Sequence, residues 1–280
     1  MATSEHQIDP TVTFVIPVRH PENAKNWQSL TRRLSDTAQS IAAQTHASWR
    51  AIVVGNEGAV FPDLPDGFDI VRVDFPPNPQ HEMGAAALDA VYEAFRLDKG
   101  RRVLAGMLAA GNTGYFMIVD DDDFVSRQIV AHARENCGAP GWSIAKGYVW
   151  SEGGHLALLH PQFATICGTS HIIRADLYDL QASFEAANGD YIKTMLGSHV
   201  KIESILADRG APLEPLPFAG AVYRVGHAEA HSKSKGIVQT YVFDQSRISR
   251  RVALGNLSRF RLVTPGFAAS FGMGAARPGR

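Results

Sequence analysis

The order of apolar segments in the first 119 residues restricts the fold more than any other feature of the sequence. Short β-branched and aromatic runs predict strands at 11–18, 50–54, 68–75 and 115–119. Helical patterns lie between them, at 27–44, 82–97 and 101–110. Strands and helices that alternate at this spacing predict an open α/β sheet flanked by helices.

The chain after Ser126 is less regular. Paired strands are predicted at 143–150 and 156–159, a further strand at 219–225, and helices at 129–136, 174–182 and 198–209. No Ser/Gly-rich linker separates the two halves. We therefore expect a single domain in which 1–126 and 127–265 form two unequal halves, followed by a flexible Gly-rich tail at 266–280.

Composition excludes several classes of protein. With 45% hydrophobic residues in 280, the chain is not disordered as a whole. A net charge of -1 provides no basic field for nucleic acid. Two cysteines, Cys137 and Cys167, are too few for a disulfide framework, and no run is long and apolar enough to cross a bilayer. The N-terminal residues lack the pattern of a signal peptide, so the sequence predicts a cytoplasmic protein.

The segment YFMIVDDDDF delivers four aspartates to the end of a buried strand. Ligands bind at the carboxyl ends of strands in open α/β sheets. Neighbouring carboxylates repel one another, and a divalent cation such as Mg²⁺ or Mn²⁺ neutralises them. Alternate residues of an extended chain point the same way, so Asp120 and Asp122 are the predicted ligands. The alternative is a solvated acidic turn, with Asp123 near a helix N-cap.

Three segments resemble the GT-A glycosyltransferases, and family 2 of the nucleotide-sugar transferases in particular. They are TFVIPVRH, SLTRRLSDTAQSIAAQTHASWRAIVVGNEG and KGRRVLAGMLAAGNTGYFMIVDDDDFVS. The resemblance covers residues 11–126 and continues more loosely to about residue 235. It implies a Rossmann-like GT-A fold with a less regular acceptor lobe, and a DXD motif whose acids hold Mn²⁺ or Mg²⁺ against the diphosphate of a UDP- or GDP-sugar.

The same resemblance assigns residues to the donor site. The segment of Pro17, Val18 and Arg19 corresponds to the wall around base and ribose. The family places a base-reading aspartate after the second strand, where this chain has Asn56 and Glu57. The remaining predicted donor-binding residues are Lys99, Arg102, Asp120 and Asp121.

Two further assignments concern the second half. The resemblance implies a late metal ligand, for which His227 and His231 are the candidates. It also implies a carboxylate base at the start of a helix, but Ser198 and His199 stand there instead. Helical spacing places Glu203 one turn after His199, which predicts a His–Glu pair, and Asp190 is the rival base. Without a base, the enzyme is retaining or inactive.

The sequence thus predicts an inverting hexosyltransferase that moves galactose or glucose from a UDP-sugar to a saccharide or lipid-linked acceptor. Peripheral contact with the inner face of the membrane is the most that is expected. Two alternatives remain open. A nucleotidyltransferase needs a Gly-rich basic loop after the first strand, and VIPVRHPEN has no glycine. A non-catalytic binding module stays open because the acid expected near Ser198 is missing and because Asn56 and Glu57 replace the base-reading aspartate.

Overall fold

A computed structural model describes residues 11–80, 88–111, 114–183, 185–226, 236–244 and 249–274. Its main element is a seven-stranded sheet with the order β10-β6-β9-β4-β1-β2-β3. These strands are β1 (Val12–Pro17), β2 (Trp49–Asn56), β3 (Phe68–Val73), β4 (Tyr115–Ile118), β6 (Gly141–Ser143), β9 (His171–Arg174) and β10 (Glu214–Pro215). β1 to β4 run parallel, and β9 is antiparallel to both of its neighbours.

Helices cover both faces of this sheet because its strands alternate between two cores. Phe14 and Ile16 pack with Leu34 of α1 (Trp27–Ala42). Val15, which points the other way, packs with Leu104 of α2 (Leu88–Ala110). The predicted α/β architecture, an open mixed sheet flanked by helices, is confirmed.

A second sheet has the order β12-β8-β7-β11-β5. Its strands are β5 (Phe124–Val125), β7 (Gly147–Ser151), β8 (Leu156–His160), β11 (Ala221–Val225) and β12 (Phe260–Leu262). The predicted hairpin is confirmed in β7 and β8, where Val149 lies opposite Leu158. The first of these strands was predicted to begin at Ser143, but Ser143 is the last residue of β6 in the other sheet. Separate sheets were not predicted.

Shorter helical elements complete the described structure. The α-helices are α3 (Ile129–Glu135), α4 (Gly189–Tyr191), α5 (Ile202–Asp208), α6 (Arg250–Leu257) and α7 (Pro265–Ser270). Single 3₁₀ turns lie at Pro21–Asn23, Phe163–Thr165 and Ala175–Tyr178, and π-helical turns at Ile192–Leu196 and Gln239–Phe243. Within the described ranges, no helix has the length and apolarity that crossing a membrane requires.

Two helix predictions are wrong. The patterns at 82–97 and 101–110 belong to one helix, α2, which runs through Gly100 from Leu88 onward. The predicted helix at 174–182 is only the 3₁₀ turn after β9, because His171–Arg174 extends between β4 and β6 as a strand. In the second case the neighbouring strands override the local preference of the sequence.

The expected tail is also different. Phe271 and Met273 are buried in an apolar cluster with Phe124 and Trp150 of the second sheet. The hydroxyl of Ser40, on α1, donates a hydrogen bond of 2.7 Å to the carbonyl oxygen of Phe271. Residues 266–274 are therefore part of the packed structure, and 275–280 lie outside the described residues.

Candidate functional site

The four aspartates form a turn rather than an extension of β4. The backbone N–H of Asp123 donates a 3.2 Å hydrogen bond to the carbonyl oxygen of Asp120, which reverses the chain before β5. The argument from alternating side chains of an extended strand was therefore wrong. The turn nevertheless brings Asp120, Asp121 and Asp122 to the wall of one cavity of about 300 Å³.

Asp123 points away from this cavity and is fully buried. Its carboxylate accepts hydrogen bonds from Thr169 Oγ1 at 2.7 Å, from Cys167 Sγ at 3.1 Å and from the backbone N–H of Arg224 at 3.2 Å. Thr169 Oγ1 in turn accepts from the backbone N–H of Asp120. The suggested helix N-cap role is wrong, because Asp123 anchors the acidic turn to segments from the second half of the chain.

Asp121 is the most constrained acid on the cavity wall. Only 7% of its surface is exposed, and its Oδ2 atom has no hydrogen-bond partner. Burial raises the pKa of Asp121 to about 7; the positive charge of Arg19 opposes this, and the Asp122 and Asp120 carboxylates add to it. A buried, unpartnered oxygen among carboxylates is a position that a cation stabilises.

A stripe of α2 also lines the cavity. Its cavity-lining residues follow helical spacing: Tyr92, Phe95, Arg96, Asp98, Lys99 and Arg102. Lys99 Nζ forms an ion pair with Asp120 Oδ1. Burial alone would lower the pKa of Lys99, but the Asp120 carboxylate keeps it above its usual value. Lys99 is therefore a fixed positive charge next to the acidic turn.

Arg102 is held rigidly at the back of the same stripe. Its guanidinium donates to both carboxylate oxygens of Asp98 at 3.2 Å and to Asn56 Oδ1 at 2.8 Å. The Asn56 amide nitrogen donates to the carbonyl oxygen of Phe75. Because both ends of its amide are engaged, Asn56 positions Arg102 and does not line the cavity as predicted.

Two of the three residues predicted to bind the donor in the segment after β1 lie on the cavity wall. Pro17 and Arg19 line the cavity. The side chain of Val18 is buried in the core, and Glu57 is exposed in the turn after β2. The structure thus brings neither Val18 nor Glu57 to the cavity wall.

The three candidate bases separate in space. His199 lines the cavity, whereas Glu203 Oε1 lies 2.9 Å from His171 Nε2. The predicted pair of His199 with Glu203 is wrong because α5 begins only at Ile202, so His199 is not on that helix. Asp190 is exposed and pairs with Lys193 at 3.0 Å.

His199 has the character of a neutral imidazole. Burial lowers its pKa to about 4, and the positive charge of Lys99 adds to the effect. The Asp120 carboxylate and the backbone of Thr165 act in the opposite direction on this pKa, but they are outweighed. At neutral pH it therefore offers one nitrogen lone pair on the cavity wall.

The predicted late ligands His227 and His231 lie outside the described residues. Among the residues that are described, no three His, Cys, Asp or Glu side chains converge as a complete metal cage. The acids of the turn could hold a divalent cation only together with oxygens from a ligand or from water.

Several cavity residues were missed by sequence reasoning. Tyr92, Phe95 and Arg96 could have been found from the helical spacing that connects them to Lys99. Asn23 and Asn78 could not, because they meet only through the fold: Asn23 Nδ2 donates to the Asn78 carbonyl at 3.0 Å, and the Asn78 N–H donates back to Asn23 Oδ1 at 2.7 Å.

No protein-family model matches the chain, and no curated protein sequence matches it. Among solved structures, it is similar to Rv0371C from Mycobacterium tuberculosis H37Rv in complex with manganese, with 14% identity, 77% of this chain and 91% of that chain covered, and a TM-score of 0.34. It is also similar to the glycosyltransferase GlyE of Streptococcus pneumoniae TIGR4, with 9% identity, 94% of this chain and 65% of that chain covered, and a TM-score of 0.34. It is similar as well to the galactosyltransferase LgtC in complex with donor and acceptor sugar analogues. The identity is 11%, 92% of this chain and 100% of that chain are covered, and the TM-score is 0.32. These likenesses are too distant to assign a function.

Proposed function

We propose that this chain is a metal-dependent glycosyltransferase that transfers a hexose from a UDP-sugar to a hydroxyl of a saccharide or lipid-linked glycan. The observation that carries the proposal is the crowding of Asp120, Asp121 and Asp122 in one cavity, which cationic residues of α2 also line. In this proposal residues 1–126 hold the donor and 127–265 the acceptor. The preference for galactose or glucose, and for the cytoplasmic face of the membrane, comes from the resemblance of the sequence.

The acidic turn fits a divalent cation that is shared with a diphosphate. Asp121 has an unpartnered buried oxygen, and Asp122 lies on the same wall. Mg²⁺ is commonly held by one or two carboxylates together with substrate phosphates, so an all-protein cage is not required. When bound, the cation would stabilise the negative charge of the departing nucleoside diphosphate.

Cationic side chains of the cavity would bind the same diphosphate. Arg19 and Arg96 line the cavity, and Lys99 is already held by Asp120. Arg102 is fixed by Asp98 and Asn56, so its charge needs no reorganisation when an anion arrives. Tyr92 and Phe95 offer ring faces against which a nucleobase can stack.

Of the three predicted bases, His199 is the one we propose for the acceptor proton. It lines the cavity, whereas Asp190 is exposed and Glu203 is engaged with His171. The ring is neutral at neutral pH, so one of its nitrogens would accept the proton. Its low pKa makes His199 a weak base. It would therefore take the proton as the acceptor oxygen bonds to the anomeric carbon, because the positive charge that develops on this oxygen makes its proton more acidic.

Calorimetric titration with UDP and GDP, with and without Mn²⁺, tests the donor site. We expect UDP to bind only with Mn²⁺, and Asp121→Asn and Asp122→Asn each to weaken binding by at least about tenfold, because even residues one step removed from a metal cost that much. Asp66→Asn, at an exposed carboxylate, is the matched control. If neither nucleotide binds in either condition, the proposal is wrong.

A non-catalytic nucleotide-sugar-binding module is the second candidate. It is favoured because, in the described part of the chain, neither Glu203 nor Asp190 lines the cavity. Slow release of UDP from UDP-galactose or UDP-glucose into water distinguishes the two candidates. A transferase shows this hydrolysis and loses most of it in His199→Asn, whereas a binding module shows none.

A further inference from the structure

Asn78 is a buried residue on the wall of the cavity that the acidic turn also lines. Only 9% of its surface is exposed, and its Nδ2 atom has no hydrogen-bond partner among the described residues. A buried N–H group without an acceptor destabilises the folded protein, and an acceptor on a bound molecule removes that cost. Asn78 therefore indicates a ligand that carries a hydrogen-bond acceptor.

The other polar groups of Asn78 are engaged, so the direction of its amide is fixed. Asn78 Oδ1 accepts a 3.0 Å hydrogen bond from the backbone N–H of Gln80, and a backbone N–H can only donate, so Nδ2 is the atom left unpaired. The backbone N–H of Asn78 donates to Asn23 Oδ1 at 2.7 Å, and its carbonyl oxygen accepts from Asn23 Nδ2 at 3.0 Å. Pro77 and Pro79 restrict the backbone on both sides. This N–H group is therefore held in place before any ligand binds, which lowers the entropy cost of binding.

The order of the strands separates Asn78 from the acidic turn. β1 to β4 run parallel, so their carboxyl ends lie at one edge of the sheet. The acidic turn follows β4, whereas Asn78 follows β3, three positions away in the order β4-β1-β2-β3. Three strand spacings amount to about 14 Å. The bonds to Asn23 draw Asn78 back towards β1, and it lines the same cavity. A nucleoside diphosphate whose phosphates lie at the acidic turn would therefore extend across this edge and bring its base towards Asn78.

We propose that Asn78 Nδ2 donates a hydrogen bond to the 4-carbonyl oxygen of the nucleotide's uracil, and so selects uracil over cytosine. The inference rests on the proposed function, because it assigns a residue within the same nucleotide site. Uracil carries an accepting oxygen at position 4, whereas cytosine carries a donating amino group there. Position 4 lies on the edge of the ring away from the ribose, so it is the group that reaches furthest from the phosphates. Asn56 cannot make this contact, because both ends of its amide are engaged by Arg102 and Phe75.

Calorimetric titration of the full chain with UDP and with CDP, both in the presence of Mn²⁺, tests this assignment, because the two nucleotides differ only along the edge of the base that includes position 4. We expect the unchanged protein to bind UDP at least about tenfold more tightly than CDP. Asn78→Asp presents an acceptor in place of the N–H donor, so the ratio of the two affinities should invert. Asn78→Ala removes the amide but leaves the backbone groups that bond to Asn23, and it should bring the ratio close to one.

The matched control is Asn136→Asp, which adds the same charge at an exposed position that does not line the cavity and should keep the ratio of the unchanged protein. Circular dichroism shows whether each variant is folded. If the Asn78 variants weaken UDP and CDP binding equally, the role of Asn78 is structural and the inference is wrong. Equal binding of UDP and CDP by the unchanged protein would also overturn it, and in both of these cases the proposed function would stand. If neither nucleotide binds, the proposed function is wrong and this inference is wrong with it.

Discussion

The carboxylate of Asp123 joins the acidic turn to two distant segments of the chain. It accepts three hydrogen bonds, from Thr169, Cys167 and the backbone of Arg224. Burial, with Asp122 and Asp120 adding to it, raises the pKa of Asp123 well above its usual value. The folded state therefore tolerates this acid only because all three donors converge on it.

Replacing Asp123 should be costly for stability. Asp123→Ala leaves three buried donors without an acceptor, and we expect the free energy of unfolding to fall by about 3 kcal/mol. Urea denaturation measures the change. Asp66→Ala, at an exposed position, should stay within about 0.5 kcal/mol of the unchanged protein. Equal stability of the two variants would show that Asp123 is not an anchor.

His199 should make the free energy of unfolding depend on pH, and the lowered pKa of its ring gives the direction of this dependence. The unfolded chain binds a proton at His199 near pH 6.5, whereas the folded protein, with a pKa of about 4, does not. Above 6.5 the residue is neutral in both states and has no effect. As the pH falls from 6.5 towards 4 only the unfolded state gains the proton, so the free energy of unfolding decreases.

Chemical denaturation at several pH values tests this expectation. The His199→Gln variant should lose part of the decrease between pH 6.5 and 4, because no imidazole remains to be protonated. The same change at exposed His155 should leave the decrease unaltered. If His199→Gln keeps the full pH dependence, the pKa of His199 is the same in the folded and unfolded states and burial does not lower it.

At the scale of elements, the close packing of the turn Ile192–Leu196 against α2 depends on Gly100. A Cβ atom at this position would lie 2.6 Å from Cγ2 of Ile192 and closer still to the Ile192 carbonyl oxygen. The glycine therefore allows the turn Ile192–Leu196 to pack directly on the helix. This packing holds the stripe that carries Lys99 and Arg102 in its position on the cavity wall.

Replacing glycine by alanine at two helical positions distinguishes the effect of tight packing on stability from the effect of helix propensity. Gly100→Ala should lower the free energy of unfolding by about 2 kcal/mol, although alanine is the better helix former by about 1 kcal/mol. Gly255→Ala, in α6 where a Cβ meets no atom within 4 Å, should raise it by about 0.5 kcal/mol. Thermal unfolding of both variants is the measurement, and stabilisation by Gly100→Ala would contradict the packing argument.

At the scale of the whole molecule, the two sheets are joined by contacts between distant parts of the chain. Arg224 of β11 pairs with Asp36 of α1 at 3.0 Å, and its guanidinium lies 4.3 Å from the ring centre of Phe124. Phe271 and Met273 fill the space beside Phe124. The acidic turn, which lies between β4 and β5, is therefore supported by both sheets and by residues near 270.

Truncation tests this last contribution. A chain that ends at Gly274 should unfold like the full chain, because Phe271 and Met273 remain in place. A chain that ends at Thr264 exposes the cluster around Phe124 and Trp150, and we expect it to lose at least about 3 kcal/mol of stability or to fail to fold. The measurement is the melting temperature of both chains by calorimetry. Equal melting temperatures would mean that residues 265–274 do not contribute to stability.

The sequence by itself determined the four strands of residues 11–119, the helix after β1 and the position of Asp120 to Asp122 at the end of a strand, because apolar periodicity and the end of a buried strand are local signals. It did not determine that α2 is one continuous helix. Only the tertiary structure decided that Asp123 is an anchor, that Asn56 positions Arg102 and that Glu203 pairs with His171. Each of these contacts joins residues 32 or more apart in the sequence. Such partners are chosen by burial and packing in three dimensions, and no spacing along the chain encodes them.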